Sequence, residues 1–276
     1  MTKVTRPPTG INRAGASFPF PSNSFLRFTL IAGWIAFMMA VTSAWGKTTP
    51  GTQDQGKPTE FFETFDGNPG EIPKGWKPIK FQKIDHTTRY ELAQDQGRTV
   101  LLAQADQSAS GLVWDQDFEP AKTPWVSWDW KISAVLPNGD VTTKKGDDFS
   151  ARVLVLFPYD PEAASPWDAL KFEVAKALYG EYPPAAAITY IWANRLPQNT
   201  WVTSTYTDRV RLLAVDSGND RAGQWQSVRR NIARDFQAAF PGQTLPPRFR
   251  VALMTDTDNT KDSTKSWFDS IRVAGK

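Results

Sequence analysis

The sequence predicts an all-β protein, an antiparallel β-sandwich of jelly-roll-like type that carries two helical insertions. Three observations predict it. Apolar residues recur with period two over short runs, those runs are separated by Gly, Pro, Asn and Asp, and they follow one another too closely for repeated βαβ crossovers.

The elements follow in chain order. Residues 1–46 carry Lys3, Arg6, Arg13 and Arg27 and no acid, then an apolar stretch from Leu30 to Val41 and the small residues Ala44 and Gly46. A basic start, a short apolar centre and small residues at the exit make a secretory signal. Cleavage is expected after Gly46, with an exit at Thr42 to Ala44 as the alternative. The apolar run is shorter than the roughly 20 residues that span a bilayer, so membrane contact is expected only before cleavage. Residues 47–60, "KTTPGTQDQGKPTE", read as a flexible linker. Residues 61–276 are expected to form one sandwich domain, long enough to bury a large core.

Within that domain "FFETF", "WKPIKFQK", "RYELAQ", "TVLLAQA" and "SGLVWDQDF" are the early strand candidates. "WVSWDWKISA" puts Val126, Trp128, Trp130 and Ile132 on one face and Trp125, Ser127, Asp129 and Lys131 on the other. "FSARVLVLF" is apolar on both parities apart from Ser150 and Arg152, as a central strand would be. "AAITYIWAN", "VRLLAVDSG", "FRVALMTD" and "SWFDSIRVAG" complete the set. The first helix is expected from a Ser165 cap through Pro166 to Gly180, with Trp167, Leu170, Val174 and Leu178 as its stripe. The second is expected from a Ser227 cap, with Val228, Ile232, Phe236 and Phe240 on one face and Pro241–Gly242 as its stop.

Composition removes several classes of function. The chain carries a formal +3, but the basic start accounts for it, and the remainder is nearly neutral. That leaves no electrostatic footprint for nucleic acid. There is no cysteine, hence no disulfide, thiolate site or thiol nucleophile. The single histidine, His86, excludes multi-histidine zinc sites, and its neighbour Asp85 points to the opposite face of an extended strand. Phosphate-cradling glycine patterns are absent. A calcium loop of EF-hand type starting at Asp256 fails because Lys261 and Trp267 stand where glycine and glutamate are required. Carboxylates and aromatics remain. Sugar rings stack on flat aromatic faces while polar side chains bind the hydroxyls, and Trp125, Asp129 and Lys131 share one parity, as do Tyr190, Trp192 and Asn194. Paired acids could instead hydrolyse glycosides.

From "GDDFSARVLVLF" onward the chain resembles a family of secreted bacterial proteins, domain-of-unknown-function family 3047. The matching pieces are "GDDFSARV", "YIWAN", "SVRRNIARDFQAAF", "MTDTDNT" and "WFDSIRV", with "GWKPI" and "WVSWDWK" extending the resemblance to about Phe61. The resemblance implies no reaction. It singles out Asp147, Asp148, Arg152, Trp192, Asn194, Arg230, Asn231, Asp235, Asp256, Asp258 and Asn259 as candidate ligand-binding residues. Arg152 shares its parity with Leu154 and Leu156, so its charge needs a buried partner, with Asp256 and Asp235 as the candidates. Either an internal ion network or a polar pocket would satisfy it.

"WFDSIRV" also resembles the last strand of galactose-binding-like jelly rolls, which often hold a structural calcium. That resemblance implies a calcium held by Asp269, read as inward-facing with Trp267 and Ile271, and by Glu63 and Asp66 near the first strand. The function expected is non-catalytic binding of a carbohydrate or cell-envelope polymer by an exported protein of the periplasm or medium. A carboxylate-dependent glycosidase or lyase acting on such a polymer is the alternative, and a structural envelope protein is the second.

Overall fold

The computed structural model describes residues 60–81, 84–161, 172–173 and 184–275. Two β-sheets face each other. Sheet A has six strands: β1 (Glu60–Glu63), β3 (Arg89–Asp95), β4 (Arg98–Asp106), β6 (Trp125–Ile132), β11 (Gln226–Asn231) and β13 (Ser263–Ala274). Its order is β11-β6-β13-β4-β3, and β1 pairs with the far half of β13. Sheet B has seven strands in the order β2-β5-β12-β7-β8-β10-β9. These are β2 (Trp76–Ile79), β5 (Ala109–Trp114), β7 (Arg152–Phe157), β8 (Ala186–Ala193), β9 (Trp201–Thr203), β10 (Val210–Ser217) and β12 (Arg250–Asp256).

The core between the sheets follows from alternation. On β6, Val126, Trp128, Trp130 and Ile132 are buried inward, as the period of two requires. They meet Tyr190 and Trp192 of β8 across the gap, with ring centroids of Trp128–Tyr190 at 5.2 Å and Trp130–Trp192 at 5.8 Å. Tilted contacts at these spacings add stability beyond the area buried. A second apolar layer, including Leu154, Leu156, Ile191, Leu212 and Met254, covers the far face of sheet B. Val141 and Phe149, from the segment that joins β6 to β7, pack onto it. The central strands β7, β8 and β12 are therefore buried at every position. Sheet A alternates buried with partly exposed residues, so only one of its faces is dry.

Four expectations need correction. The sheets are not wholly antiparallel: β10 runs parallel to β8, because the chain leaves β8, returns as the outer strand β9, and then inserts β10 between them. The second helix does not start at Ser227. Gln226–Asn231 is strand β11, paired to β6 with Val228 opposite Trp128, and helix α1 spans Ile232–Ala239. Asn231 caps it, its side chain accepting from Arg234 N at 3.0 Å, so the apolar period of the helix begins one turn later than read. Asp269 does not face the core. A bulge between Asp269 and Arg272, with Ser270 at φ 53°, resets the parity of β13, so that Phe268 and Ile271 are both inward while Trp267 and Asp269 face outward. Tyr190 and Trp192 do not line an outer surface; they are core residues. The helix expected at Ser165–Gly180 lies outside the described residues, apart from Phe172 and Glu173, which are helical.

Candidate functional site

Two polar assemblies stand out against this frame. The first surrounds Arg152, which begins β7 on the face of sheet B away from sheet A. Its guanidinium is buried and bound on both edges. Nε donates to Asp256 Oδ1 at 2.8 Å, and NH2 donates to Asp256 Oδ2 and to the Asp147 carbonyl. NH1 reaches Asp147 Oδ1 at 3.4 Å. The two strands make this possible, because β12 pairs antiparallel to β7 with Met254 opposite Arg152, which brings Asp256 diagonally within reach of the fork.

Asp148 closes the neighbouring turn. It accepts from Asn259 Nδ2 at 2.9 Å, Thr260 N at 2.6 Å and Thr260 Oγ1 at 2.8 Å. Its backbone carbonyl accepts from Asn194 Nδ2 at 2.9 Å, and Asn194 Oδ1 accepts from Leu136 N at 2.9 Å. Asn194 thus pins both ends of the β6–β7 segment to the end of β8. A Cβ at Gly139 would lie 1.8 Å from Asn194 Nδ2, so that position requires glycine.

Charge is unbalanced here. Asp147, Asp148, Asp256 and Asp258 crowd one guanidinium, and Asp148, Asp256 and Asp258 each place a carboxylate oxygen within 4.8 Å of the others. Burial pushes Asp147 up to about 6, despite the opposing charge of Arg152. Burial, reinforced by the Asp148 charge, raises Asp258 to about 6. Asp256 is raised well above its ordinary value by burial, against the pull of Arg152. Burial alone would lower Arg152, but the charges of Asp256 and Asp147 raise it, so it stays charged.

Asp235 belongs elsewhere. Arg230 grips it with Nε at 2.8 Å and NH2 at 2.6 Å, and Tyr190 OH donates to it at 2.7 Å. Val153 lies opposite Tyr190 and Arg152 opposite Ile191, so Tyr190 and Arg152 point to opposite faces of sheet B. Of the two candidate partners for Arg152, Asp256 takes the place. Arg152, Asp148 and Asp256 are 1%, 0% and 1% exposed, so they form an internal network, with Asp258 and Asn259 at its partly exposed margin. Trp192 donates Nε1 to Gly218 O at 3.0 Å inside the core.

The expected calcium ligands are not brought together. Glu63 accepts from Phe65 N and Trp76 Nε1 at 2.7 and 3.2 Å, Asp66 accepts from Thr64 Oγ1, and Asp269 pairs with Arg98 at 3.0 Å. First and last strands are tied by the β1–β13 ladder itself.

The second assembly lies on the outer face of sheet A. Register aligns Glu91, Leu102, Trp267 and Lys131 in one row across β3, β4, β13 and β6. Trp225, just before β11, extends the row. Lys131 Nζ lies 4.4 Å from the Trp267 ring and 5.3 Å from the Trp225 ring, and it donates to Asp95 at 2.6 Å. Trp225 Nε1 donates to the other Asp95 oxygen at 2.8 Å, and the Arg98 guanidinium covers one side of its ring at 4.6 Å. In the next row Asp129 and Asp269 are direct cross-strand neighbours that share Arg98. Burial raises Asp269 above the ordinary carboxylate range. Both tryptophans are partly exposed. Sequence reading placed neither here. The available signals were the polar neighbours Gln224 and Gln226 around Trp225, and the parity Trp267 shares with Lys265.

The model of the family described as a protein of unknown function (DUF3047) matches residues 74–272. The chain belongs to this family. No curated protein matches it. Among solved structures it is similar to a family 30 carbohydrate-binding module of a cellulosomal cellulase from Clostridium thermocellum, at 12% identity over 79% of this chain and 92% of that one, with a TM-score of 0.33. It is also similar to a lectin from Bauhinia forficata in complex with GalNAc, at 10% identity over 79% and 100%, with a TM-score of 0.38. A family 12 xyloglucanase from Bacillus licheniformis matches at 9% identity over 78% and 98%, with a TM-score of 0.39.

Two outcomes are expected from the Arg152 network. Arg152→Met leaves Asp256 and Asp147 buried without their cation and lowers stability by about 3–5 kcal/mol, read from the urea midpoint. For Asp258 the folded pKa near 6 lies above the ordinary 3.8, so the folded state holds the proton more tightly, and stability falls as pH rises from about 4 through 6. Asp258→Asn removes that loss. Discounted for partial exposure to roughly 1 kcal/mol, the gain raises Tm by about 2–4 °C at pH 7.5 and vanishes near pH 4, measured by thermal unfolding.

Proposed function

We propose that this is an exported glycan-binding protein whose platform is the outer face of sheet A. One observation carries the reading: Trp267 and Trp225 flank Lys131 on a single, partly exposed row, amid Asp95, Arg98, Asp129 and Glu91. At roughly 4.8 Å per strand, two steps put the indoles about 10 Å apart, a span suited to more than one ring of a sugar polymer. Apolar faces for stacking, with fixed polar groups between them, are what sugar recognition requires. The ion pairs beneath the rings hold their orientation, so little side-chain entropy is lost on binding. Export is supported by the basic and apolar pattern of residues 1–46, and the periplasm or medium is where a cell-envelope polymer would be met.

Cleavage of the same polymer is a second reading with one observation in its favour. Asp129 and Asp269 oppose each other on the platform and share Arg98, which places two carboxylates side by side, the pairing that glycoside cleavage uses. Arg98, Ser227 and the Ser270 N–H occupy those carboxylates, which favours binding.

Trp267→Ala is expected to weaken polysaccharide binding at least tenfold in affinity electrophoresis while the near-native thermal transition is kept. A reducing-end assay on the bound polymer is expected to show no release. Release abolished by Asp269→Asn would establish the hydrolase instead.

A further inference from the structure

Farther down the same face the charges change character. Among the described residues, each carboxylate around the Trp267–Trp225 row is already engaged: Asp95 by Lys131 and Trp225, Asp129 by Ser227 and Arg98, Asp269 by Arg98, and Glu91 by Arg89 and Gln104. The exposed Arg229 has no such partner. Its guanidinium lies over the Trp125 ring at 4.2 Å and makes no ion pair or side-chain hydrogen bond among the described residues. The ring contact holds the guanidinium in place while its N–H groups have no side-chain partner among the described residues, and a free fork can bind a carboxylate bidentately.

Its neighbours extend the same chemistry. Ser127 sits opposite Arg229 on β6, and Arg272 of β13 sits opposite Ser127 on the other side. All three point outward, because Val126, Trp128, Ile271 and Val273 take the inward positions. Arg272 is held through Nε by Glu60 at 2.7 Å, an exposed pair of low strength. Two guanidinium groups therefore bracket one hydroxyl, beside an indole face.

We infer that Arg229, seated on the Trp125 ring, forms with Ser127 and Arg272 a subsite for the carboxylate of an acidic sugar, so that the polymer bound is a uronate-containing glycan. This rests on the glycan-binding reading of the face and adds the class of ligand. The carboxylate would meet the N–H groups of Arg229 that the Trp125 contact leaves free, while the rest of the polymer runs toward Trp267. A neutral polymer would leave the Arg229 fork without a counter-charge among the described residues.

The test compares polygalacturonate with the same polymer after reduction of its carboxyls to alcohols, using the full chain and titration calorimetry at constant salt. Polygalacturonate is expected to bind about tenfold more tightly, Arg229→Gln to erase that difference, and Arg229→Lys to restore only part of it, since charge returns without the fork. Equal binding of the two polymers overturns the acidic subsite and leaves the platform standing. An unchanged preference in Arg229→Gln, or equal binding of dextran sulfate, likewise overturns carboxylate recognition at this place. If neither polymer binds, and a panel of neutral polysaccharides also fails, the glycan-binding reading falls with it. Thermal unfolding of Arg229→Gln is expected to match the parent chain, because the side chain is exposed and makes no side-chain hydrogen bond among the described residues.

Discussion

The buried ion pair between Arg152 and Asp256 constrains the rest of the molecule. It joins the start of β7 to the end of β12, two central strands of sheet B, on a face otherwise filled with Leu154, Leu156 and Met254. A guanidinium cannot stay there without counter-charge and full hydrogen bonding. The chain meets that requirement with Asp256 on one edge and Asp147 on the other. Asp147 in turn fixes where the β6–β7 segment must fold back, and Asp148 beside it ties that segment to Asn259 and Thr260 in the β12–β13 turn. One buried cation thereby sets the geometry of two connections at one end of the sandwich.

The two sheets use their polar residues differently. The central strands of sheet B are buried on both faces, and Arg152 and Asp256 are consumed by the internal network. On the outer face of sheet A, Trp125, Trp225 and Trp267 are partly exposed, and there the ion pairs support indoles at the surface rather than sealing a turn. The same residue types thus do different physical work on the two sheets. Around Arg152, burial and crowding raise Asp147, Asp256 and Asp258. On sheet A, burial still raises Asp269, but the pairs serve mainly to hold rings and long side chains in place.

The bulge in β13 links these two regions. Without it the strand would carry Trp267, Asp269 and Ile271 on one face. The extra residue at Ser270 lets Phe268 and Ile271 both enter the core while Trp267 and Asp269 stay outside beside Lys131 and Asp129, and it sends Arg272 outward next to Ser127. The stacking row and the arginine-bracketed hydroxyl owe their positions to that one irregularity.

The sequence by itself determined every strand except β9 and β11, the division of β6 into an apolar and a polar face, and the need of Arg152 for a buried acid. These are local matters, since alternation within an uninterrupted strand reports its two faces directly. Only the tertiary structure decided which acid answers Arg152, that Asp235 lies on the opposite face with Arg230 and Tyr190, that Gln226–Asn231 pairs with β6 before α1 begins, and that β10 runs parallel to β8. It also decided the outward direction of Trp267 and Asp269. The physical reason is common to all of them: pairing register and bulges are set by contacts between residues far apart in the chain, and a shift of one residue reverses every face beyond it.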